Sequence, residues 1–145
     1  MKRYSERATR ARSLSAPGGR RPTKRGSIHG VGVDLVALER FRRFAQEHAA
    51  RLPEMFTRTE LARAAKVSDG LAEAFAVKEA SLKAIGGLTG WELDWREIGW
   101  EGASVALTGA VAAHAKRLRI GAITVSVSRF GEYAMASVIA ASRPR

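Results

Sequence analysis

The feature that most constrains this chain is a strictly alternating run at residues 123–128. The run has the order Ile-Thr-Val-Ser-Val-Ser, with an apolar residue at every second position. This pattern is typical of a β-strand with one buried face. Residues 130–132 (Phe-Gly-Glu) predict a turn, and residues 133–140 predict the returning strand of a hairpin. A fold built on this hairpin needs other elements to cover the buried face of its sheet.

The rest of the sequence supplies such elements. Apolar residues at helical spacing, with Gly and Pro between them, mark the segments. We predict an α+β domain, with helices packed on a mostly antiparallel sheet. The predicted elements are a strand at 28–33, a helix from Asp34 to about Ala50, a short helix with a Thr57/Glu60 capping box, a helix at 71–85 ended by Gly86-Gly87, strands at 98–101 and 105–107, and a helix at 110–119 with Thr108 as N-cap and Gly121 as terminator.

The basic charge of the chain is unevenly distributed. The net charge is +11, but residues 1–27 hold nine basic side chains against one acidic one. This segment is rich in Arg, Ser, Gly and Pro and is poor in large apolar residues, so we predict a disordered basic tail at 1–27 and a folded domain at 28–145. An Arg-rich leader is also a feature of organelle transit peptides, but no amphipathic period is visible here. Nucleic-acid binding would depend on the tail alone, which lacks the aromatic interleaving of single-strand binders.

Composition excludes several classes of site. The chain has no cysteine, so it forms no disulfide and no thiolate metal site. Its three histidines are scattered, which argues against zinc. There is no apolar run of about 18 residues, so the sequence predicts no membrane span. We therefore expect a cytoplasmic protein.

The predicted helix at 71–85 contains the most informative charges. Lys78 falls inside an apolar stripe, where burial of an ammonium is costly unless an anion or a wet cleft receives it. Glu79 and Lys83 flank the stripe, four residues apart. One interpretation is an ordinary Glu–Lys pair with Lys78 reaching water along its stem. The other is a helix edge that lines an anion and metal site.

Asp34 has two similar interpretations. It stands between a predicted strand and a predicted helix, where an aspartate often acts as N-cap. A carboxylate at a strand end, opposite a carboxylate from another helix, can also hold a hard cation such as Mg²⁺ beside phosphates.

Four ordered blocks resemble the motifs of holo-acyl-carrier-protein synthases, which are 4'-phosphopantetheinyl transferases. Residues 32–36 (Gly-Val-Asp-Leu-Val) with Glu39-Arg40 are similar to the family's opening motif, and residues 56–61 (Phe-Thr-Arg-Thr-Glu-Leu) to its Phe-Thr-x-x-Glu-Leu. Residues 75–84 (Phe-Ala-Val-Lys-Glu-Ala-Ser-Leu-Lys-Ala) match its Phe-Ala-x-Lys-Glu-Ala-x-x-Lys-Ala helix. Residues 125–139 follow its closing hairpin. The resemblance covers nearly everything after the tail.

The resemblance implies transfer of the phosphopantetheine arm of coenzyme A to a serine of an acyl carrier protein, with Mg²⁺ as cofactor. By this resemblance Asp34 and Glu79 are metal ligands, and Glu79 and Lys83 are the catalytic residues. It implies a homotrimer, as is common in the family. The implied contacts to coenzyme A are Lys78, Lys83, Ser126 and Arg129, and those to the carrier protein are Arg40 and Arg43.

Some positions depart from the family pattern. Thr124 and Arg129 stand where the closing strand usually has histidines, Ala74 replaces the usual arginine, and residues 102–104 (Gly-Ala-Ser) replace Gly-Lys-Pro. An arginine cannot act as a base near neutral pH but can bind phosphate. An alternative hypothesis is therefore a repurposed member that binds a carrier protein without transferring the arm, or that acts on a carrier-tethered or natural-product intermediate. Fatty-acid, polyketide and peptide carriers all remain open as partners.

Overall fold

The computed structural model of the protein describes residues 26–88 and 93–144. The tail predicted at 1–27 lies, up to residue 25, outside the described residues. The described residues form five strands and five α-helices, with 3₁₀ turns at Ala49–Arg51 and Trp95–Glu97. The elements are β1 (Ile28–Ala37), α1 (Leu38–Glu47), α2 (Leu52–Met55), α3 (Arg58–Ala64), α4 (Gly70–Ala84), β2 (Ile98–Trp100), β3 (Val105–Leu107), α5 (Gly109–Arg117), β4 (Ile120–Phe130) and β5 (Tyr133–Ser142).

The main sheet has the strand order β1-β5-β4, and both neighbouring pairs are antiparallel. β4 and β5 form the predicted hairpin around a two-residue turn, in which Gly131 adopts a φ of 54°. β2 and β3 form a separate two-stranded sheet. The predicted α+β class with a mostly antiparallel sheet is confirmed.

Helix α4 lies across the main sheet and is the centre of the core. Its alanines pack against a row of buried small residues on β5. Gly32 of β1 permits this close approach, because a Cβ added there would lie 1.8 Å from the carbonyl oxygen of Ala80. Gly30 makes the same kind of contact with Ala84. The sheet and helix are therefore close enough for side chains on the inner face of β1 to meet those of α4.

The other face of the main sheet is exposed and apolar. Val31, Val33 and Leu35 of β1 share this face with Phe130 of β4 and with three residues of β5, and each of these side chains is at least 41% exposed. We call this the apolar sheet face; its members are Val31, Val33, Leu35, Phe130, Tyr133, Met135 and Ile139. Within the described residues, no helix combines the length and the apolarity needed to cross a membrane.

Two predicted boundaries are wrong. β1 continues through Asp34 to Ala37, so Asp34 is not the N-cap of α1. The mistaken helical spacing began with Leu35, which in fact lies on the exposed face of the sheet. Gly121 does not end α5 either, since it already belongs to β4 and the chain reverses at Arg119, which has a φ of 59°. The predicted capping box of α3 is confirmed in both of its hydrogen bonds.

Candidate active site

A pocket of about 540 Å³ opens between the second half of β1, helix α1 and helix α4. One side of it is polar and carries Asp34, Glu79 and Arg40. The rest is largely apolar and aromatic. The other lining residues are Leu35, Val36, Ala37, Phe41, Phe44, Phe75 and Tyr133. The pocket therefore combines a charged wall with an apolar one.

Asp34 reaches the pocket from the helix-facing side of β1. It pairs across the sheet with Ala136, a fully buried residue, and its own side chain is 17% exposed. Lys83 of α4 donates from Nζ to Asp34 Oδ1 at 2.7 Å and to the carbonyl oxygen of Val33 at 3.1 Å. The lysine thus compensates the charge of this carboxylate from one side and leaves the second oxygen free of that contact.

Glu79 supplies a second carboxylate from α4. Burial raises the pKa of Glu79, and the nearby charge of Asp34 raises it further, while Lys83 acts in the opposite direction. Among the described residues, Lys83 makes its ion pair with Asp34 and not with Glu79. The simple Glu79–Lys83 pair considered from the sequence is therefore replaced by a three-residue group that joins strand and helix.

The donor set fits Mg²⁺. Two carboxylates that repel one another, as the raised pKa of Glu79 indicates, gain from a cation between them. Mg²⁺ is usually bound by one or two carboxylates together with waters and substrate phosphates. The described residues contain no cluster of three or more potential metal-ligating side chains, so the remaining ligands of such an ion would come from water and substrate.

A family model described as the 4'-phosphopantetheinyl transferase superfamily matches residues 30–137 of this chain. The chain belongs to this superfamily. The match includes Asp34 and Glu79, which line the pocket, and Lys83, which is bonded to Asp34.

Curated relatives narrow the type of phosphopantetheinyl transferase. The holo-[acyl-carrier-protein] synthases of Bordetella parapertussis and Micrococcus luteus are 33% and 37% identical to this chain. The alignments cover 91% and 80% of this chain, and 95% and 94% of the two relatives. The chain is therefore an enzyme of the holo-acyl-carrier-protein synthase type, as its motifs predicted.

Solved structures of synthases agree with this assignment. The enzyme from Neisseria meningitidis superposes with a TM-score of 0.68 at 27% identity, covering 78% of this chain and 98% of that one. A complex of the Chronobacterium ammoniagenes enzyme with coenzyme A gives a TM-score of 0.66 at 27% identity, covering 79% of this chain and 97% of that one. The phosphopantetheinyl transferase fold predicted from the motifs is confirmed.

The structure does not bring Lys78 to the pocket of this transferase, so the predicted contact to coenzyme A is corrected. Lys78 is fully buried, and Nζ lies 2.9 Å from Glu60 Oε2. It also donates to the carbonyl oxygens of Trp95, at 2.9 Å, and of Ile98. Burial lowers the pKa of Lys78, while Glu60 acts against this shift. The anion that the sequence analysis required for this lysine is a protein carboxylate.

Arg129 and Ser126 lie on opposite faces of β4. Arg129 points to the helix side, where Nε lies 3.0 Å from Glu73 Oε1 and Nη1 donates to the carbonyl oxygen of Ser68 at 3.0 Å. Nη1 also lies 3.8 Å from Asp69 Oδ2, and the side chain is 43% exposed. Ser126 is exposed on the other face and pairs with Ser137. Within one subunit Ser126 is therefore separated from Asp34 by the sheet.

The predicted carrier contacts lie on helix α1. Arg40 is exposed and lines the pocket, and Arg43 is exposed one turn further along the helix. Neither makes an ion pair with a described carboxylate, whereas Arg42 binds Asp69 through two hydrogen bonds. Arg40 and Arg43 thus present uncompensated charge next to the site.

Sequence analysis missed the aromatic wall and the charge network around Arg129. Phe41 and Phe44 lie in the helix predicted from Asp34 to about Ala50, and their helical spacing indicates a core face but not that both residues also border the pocket. Nothing in the sequence links Arg129 to Glu73 or to Asp69, because these residues are far apart along the chain and meet only when β4 packs beside the start of α4. Only the charges of Arg129, Glu73 and Asp69 are visible in the sequence, and many other surface residues are also charged.

Proposed function

We propose that this enzyme transfers the 4'-phosphopantetheine arm of coenzyme A to a serine of an acyl carrier protein in a Mg²⁺-dependent reaction. The observation that carries this proposal is the group formed by Asp34, Glu79 and Lys83 in a pocket of the synthase fold. Two oxygen donors and one fixed cation suit a pyrophosphate better than any uncharged substrate.

Each residue of the group has a distinct role in this reaction. The serine oxygen forms a bond to the β-phosphorus of coenzyme A, and the bond from that phosphorus to the departing adenosine 3',5'-bisphosphate breaks. Glu79 accepts the serine proton, directly or through a water. Lys83, whose Nζ lies 2.7 Å from Asp34 Oδ1, contacts the phosphates as a positioned cation. Asp34 and Glu79 would hold Mg²⁺, and the ion would supply neutralisation of charge on the phosphate oxygens.

Substrate binding is proposed to use residues around this group. Arg129, whose side chain is 43% exposed, contributes a hydrogen bond to a phosphate of coenzyme A. Arg40 and Arg43 meet acidic side chains of the carrier protein, and such charges chiefly speed and orient docking. Lys83 and Ser126 complete the set of proposed contacts to coenzyme A. Ser126 lies on the outer face of the sheet, so it would contact coenzyme A bound at the site of another subunit.

We further propose that three copies assemble through the apolar sheet face. Seven exposed apolar side chains on one face of a small sheet form a patch that is unusual for a free surface. The hydroxyl residues of β4 border the same patch, so assembly would place Ser126 at a subunit boundary. This arrangement supports a coenzyme A site that draws on two copies.

The proposed reaction is tested by intact-mass spectrometry of apo carrier proteins incubated with the enzyme, coenzyme A and Mg²⁺. Transfer adds a phosphopantetheine arm of about 340 Da to the carrier. We expect this gain with at least one carrier from a panel of fatty-acid, polyketide and peptide carriers, and none in a Mg²⁺-free control. Absence of the gain across the panel, together with retained carrier binding, would favour the repurposed, non-transferring alternative.

A further inference from the structure

The two motif charges that do not reach the pocket meet each other in the core. Lys78 belongs to the Phe-Ala-x-Lys-Glu motif, and Glu60 belongs to the Phe-Thr-x-x-Glu-Leu motif. Their side chains are 0% and 1% exposed and form an ion pair at 2.9 Å. Neither side chain lines the pocket.

The pair is fully satisfied by hydrogen bonds. The ammonium of Lys78 has three acceptors, namely Glu60 and the carbonyl oxygens of Trp95 and Ile98. The carboxylate of Glu60 accepts from the backbone N–H of Thr57 at 2.8 Å and from that of Trp100 at 2.9 Å, in addition to Lys78. Three acceptors use the full donor capacity of an ammonium group. A buried charge pair with this geometry fixes the positions of all the elements that it joins.

These contacts act on the orientation of α4. In an α-helix, successive residues are rotated by about 100°, so Glu79 and Lys83 project about 100° and 140° away from Lys78. The pair holds one side of α4 to α3 and β2, while Ala80 packs on Gly32 of β1. Rotation of α4 about its axis would carry Glu79 and Lys83 away from Asp34.

We propose that Glu60 and Lys78 are positioning residues for catalysis: they fix the rotation of α4 so that Glu79 and Lys83 face Asp34. This inference rests on the proposed function for its catalytic meaning, but its geometric content can be tested separately. An apolar pair of similar size would fill the same space but would lack the directional contacts that tie α4 to Glu60, Trp95 and Ile98.

The test uses the double variant Glu60→Gln/Lys78→Met, because removal of one charge alone would leave the other buried and unpaired and would endanger folding. Circular dichroism and thermal melting establish that the variant is folded. The control is Val111→Ala, a cavity variant in α5 that destabilises the core without touching the pair. The readouts are Mn²⁺ binding by electron paramagnetic resonance, kcat and KM for transfer, and a crystal structure.

We expect the folded double variant to bind Mn²⁺ at least tenfold more weakly than the wild type and to lose at least tenfold in kcat, with an unchanged KM for the carrier. Its crystal structure should lack the 2.7 Å contact between Lys83 Nζ and Asp34 Oδ1. Val111→Ala should keep the Mn²⁺ affinity and kcat despite a lower Tm.

If the contact is absent from the double variant but the wild type neither binds Mn²⁺ nor transfers, the positioning inference stands and the proposed function fails. A double variant that keeps the contact and the Mn²⁺ affinity would overturn the inference. If the double variant is unfolded, the crystal structure of Lys78→Arg takes its place, and retention of the Lys83–Asp34 contact there with an altered Lys78 network would likewise overturn it.

Discussion

Asp34 occupies a position in β1 where a strand packed under a helix normally carries an apolar side chain. Its neighbours on the same face are Gly32 and Val36, and its cross-strand partner Ala136 is fully buried. A partly buried carboxylate at such a position is costly unless it is paired. Lys83 provides that partner, with Nζ 2.7 Å from Asp34 Oδ1. The ion pair with Lys83 thus offsets the cost of placing a carboxylate on the helix-facing side of the sheet.

Removal of either carboxylate is expected to abolish the reaction. Asp34→Asn and Glu79→Gln preserve shape but remove a charged oxygen ligand, so we expect transfer to fall by at least a hundredfold and its Mg²⁺ dependence to disappear. Initial rates at several Mg²⁺ concentrations measure this. Glu39→Gln, on the exposed surface of α1, is the matched control and should retain the wild-type rate. Normal turnover by either site variant would remove that residue from the metal assignment.

The sequence identifies the residues of the candidate site, but it does not reveal which other residues each of them contacts. Lys78 was recognised as a charge at a buried position, but its partner could not be named because Glu60 lies on a different helix and also serves a capping box. Asp34 was recognised as a candidate ligand although it was placed at a helix start. Motif similarity identifies which side chains matter, whereas their partners depend on the packing of distant segments.

At the scale of elements, α4 is the organising feature. The sequence predicts a single apolar stripe along α4 that is formed by its large side chains. Three of these side chains are only partly buried, namely Leu71, Phe75 and Leu82. The most deeply buried face is instead made of alanines that lie on the sheet. Alanine contributes little to a hydrophobic pattern, so the face with the closest backbone contact gives the weakest sequence signal.

Gly32→Ala is expected to displace α4 from the sheet. The added Cβ would lie 1.8 Å from the carbonyl oxygen of Ala80, and backbone cannot yield as a flexible side chain can. We expect a loss of about 1–3 kcal/mol in the free energy of unfolding, together with reduced transfer, as measured by urea denaturation and initial rates. Gly99→Ala is the control, because its nearest contact would be an ordinary 3.6 Å, and it should have little effect. Equal behaviour of the two variants would contradict the close packing described for Gly32.

The contacts of Asp69 predict a pH-dependent link between α1 and the start of α4. Hydrogen bonds from Arg42 lower the pKa of Asp69 below its ordinary value, while its burial acts in the opposite direction. A lowered folded-state pKa stabilises the fold above the unfolded value of about 3.9, and this contribution is lost as the pH falls through the folded value. We expect Asp69→Asn to lower Tm at pH 7 and to melt together with the wild type at pH 2–3. Thermal melts across this range check the prediction; a constant difference in Tm would exclude it.

At the scale of the whole molecule, the two faces of the main sheet have different tasks. The inner face packs on α4 and carries Asp34, whereas the outer face presents the apolar sheet face and, on β4, Thr124, Ser126 and Ser128. Alternation in β4 and β5 predicted the sheet, but not which face would meet solvent, because β1 and β5 place apolar residues on both faces. A single copy of the chain therefore leaves the apolar sheet face exposed to solvent.

Met135→Glu tests the proposed trimer. Met135 lies on the central strand of the apolar sheet face, between Leu35 and Ser128, so a carboxylate there would be buried without a partner in an assembly. We expect a trimeric mass for the wild type and a monomeric mass for the variant by light scattering. Ala113→Glu, on the exposed side of α5, is the control and should remain trimeric. A monomeric wild type would refute the assembly directly.

The glycines of β1 also bear on the order in which the molecule folds. Glycine is a poor strand former, so Gly30 and Gly32 make β1 weak in isolation. β4 and β5 are adjacent in sequence and can pair early in folding. By contrast, pairing of β1 with β5 closes a loop that spans most of the described residues. We therefore expect β1 to join the hairpin only once α4 has docked. The carboxylate of Asp34 would then be the last to reach Glu79 and Lys83, so that a partly folded chain lacks the complete three-residue group.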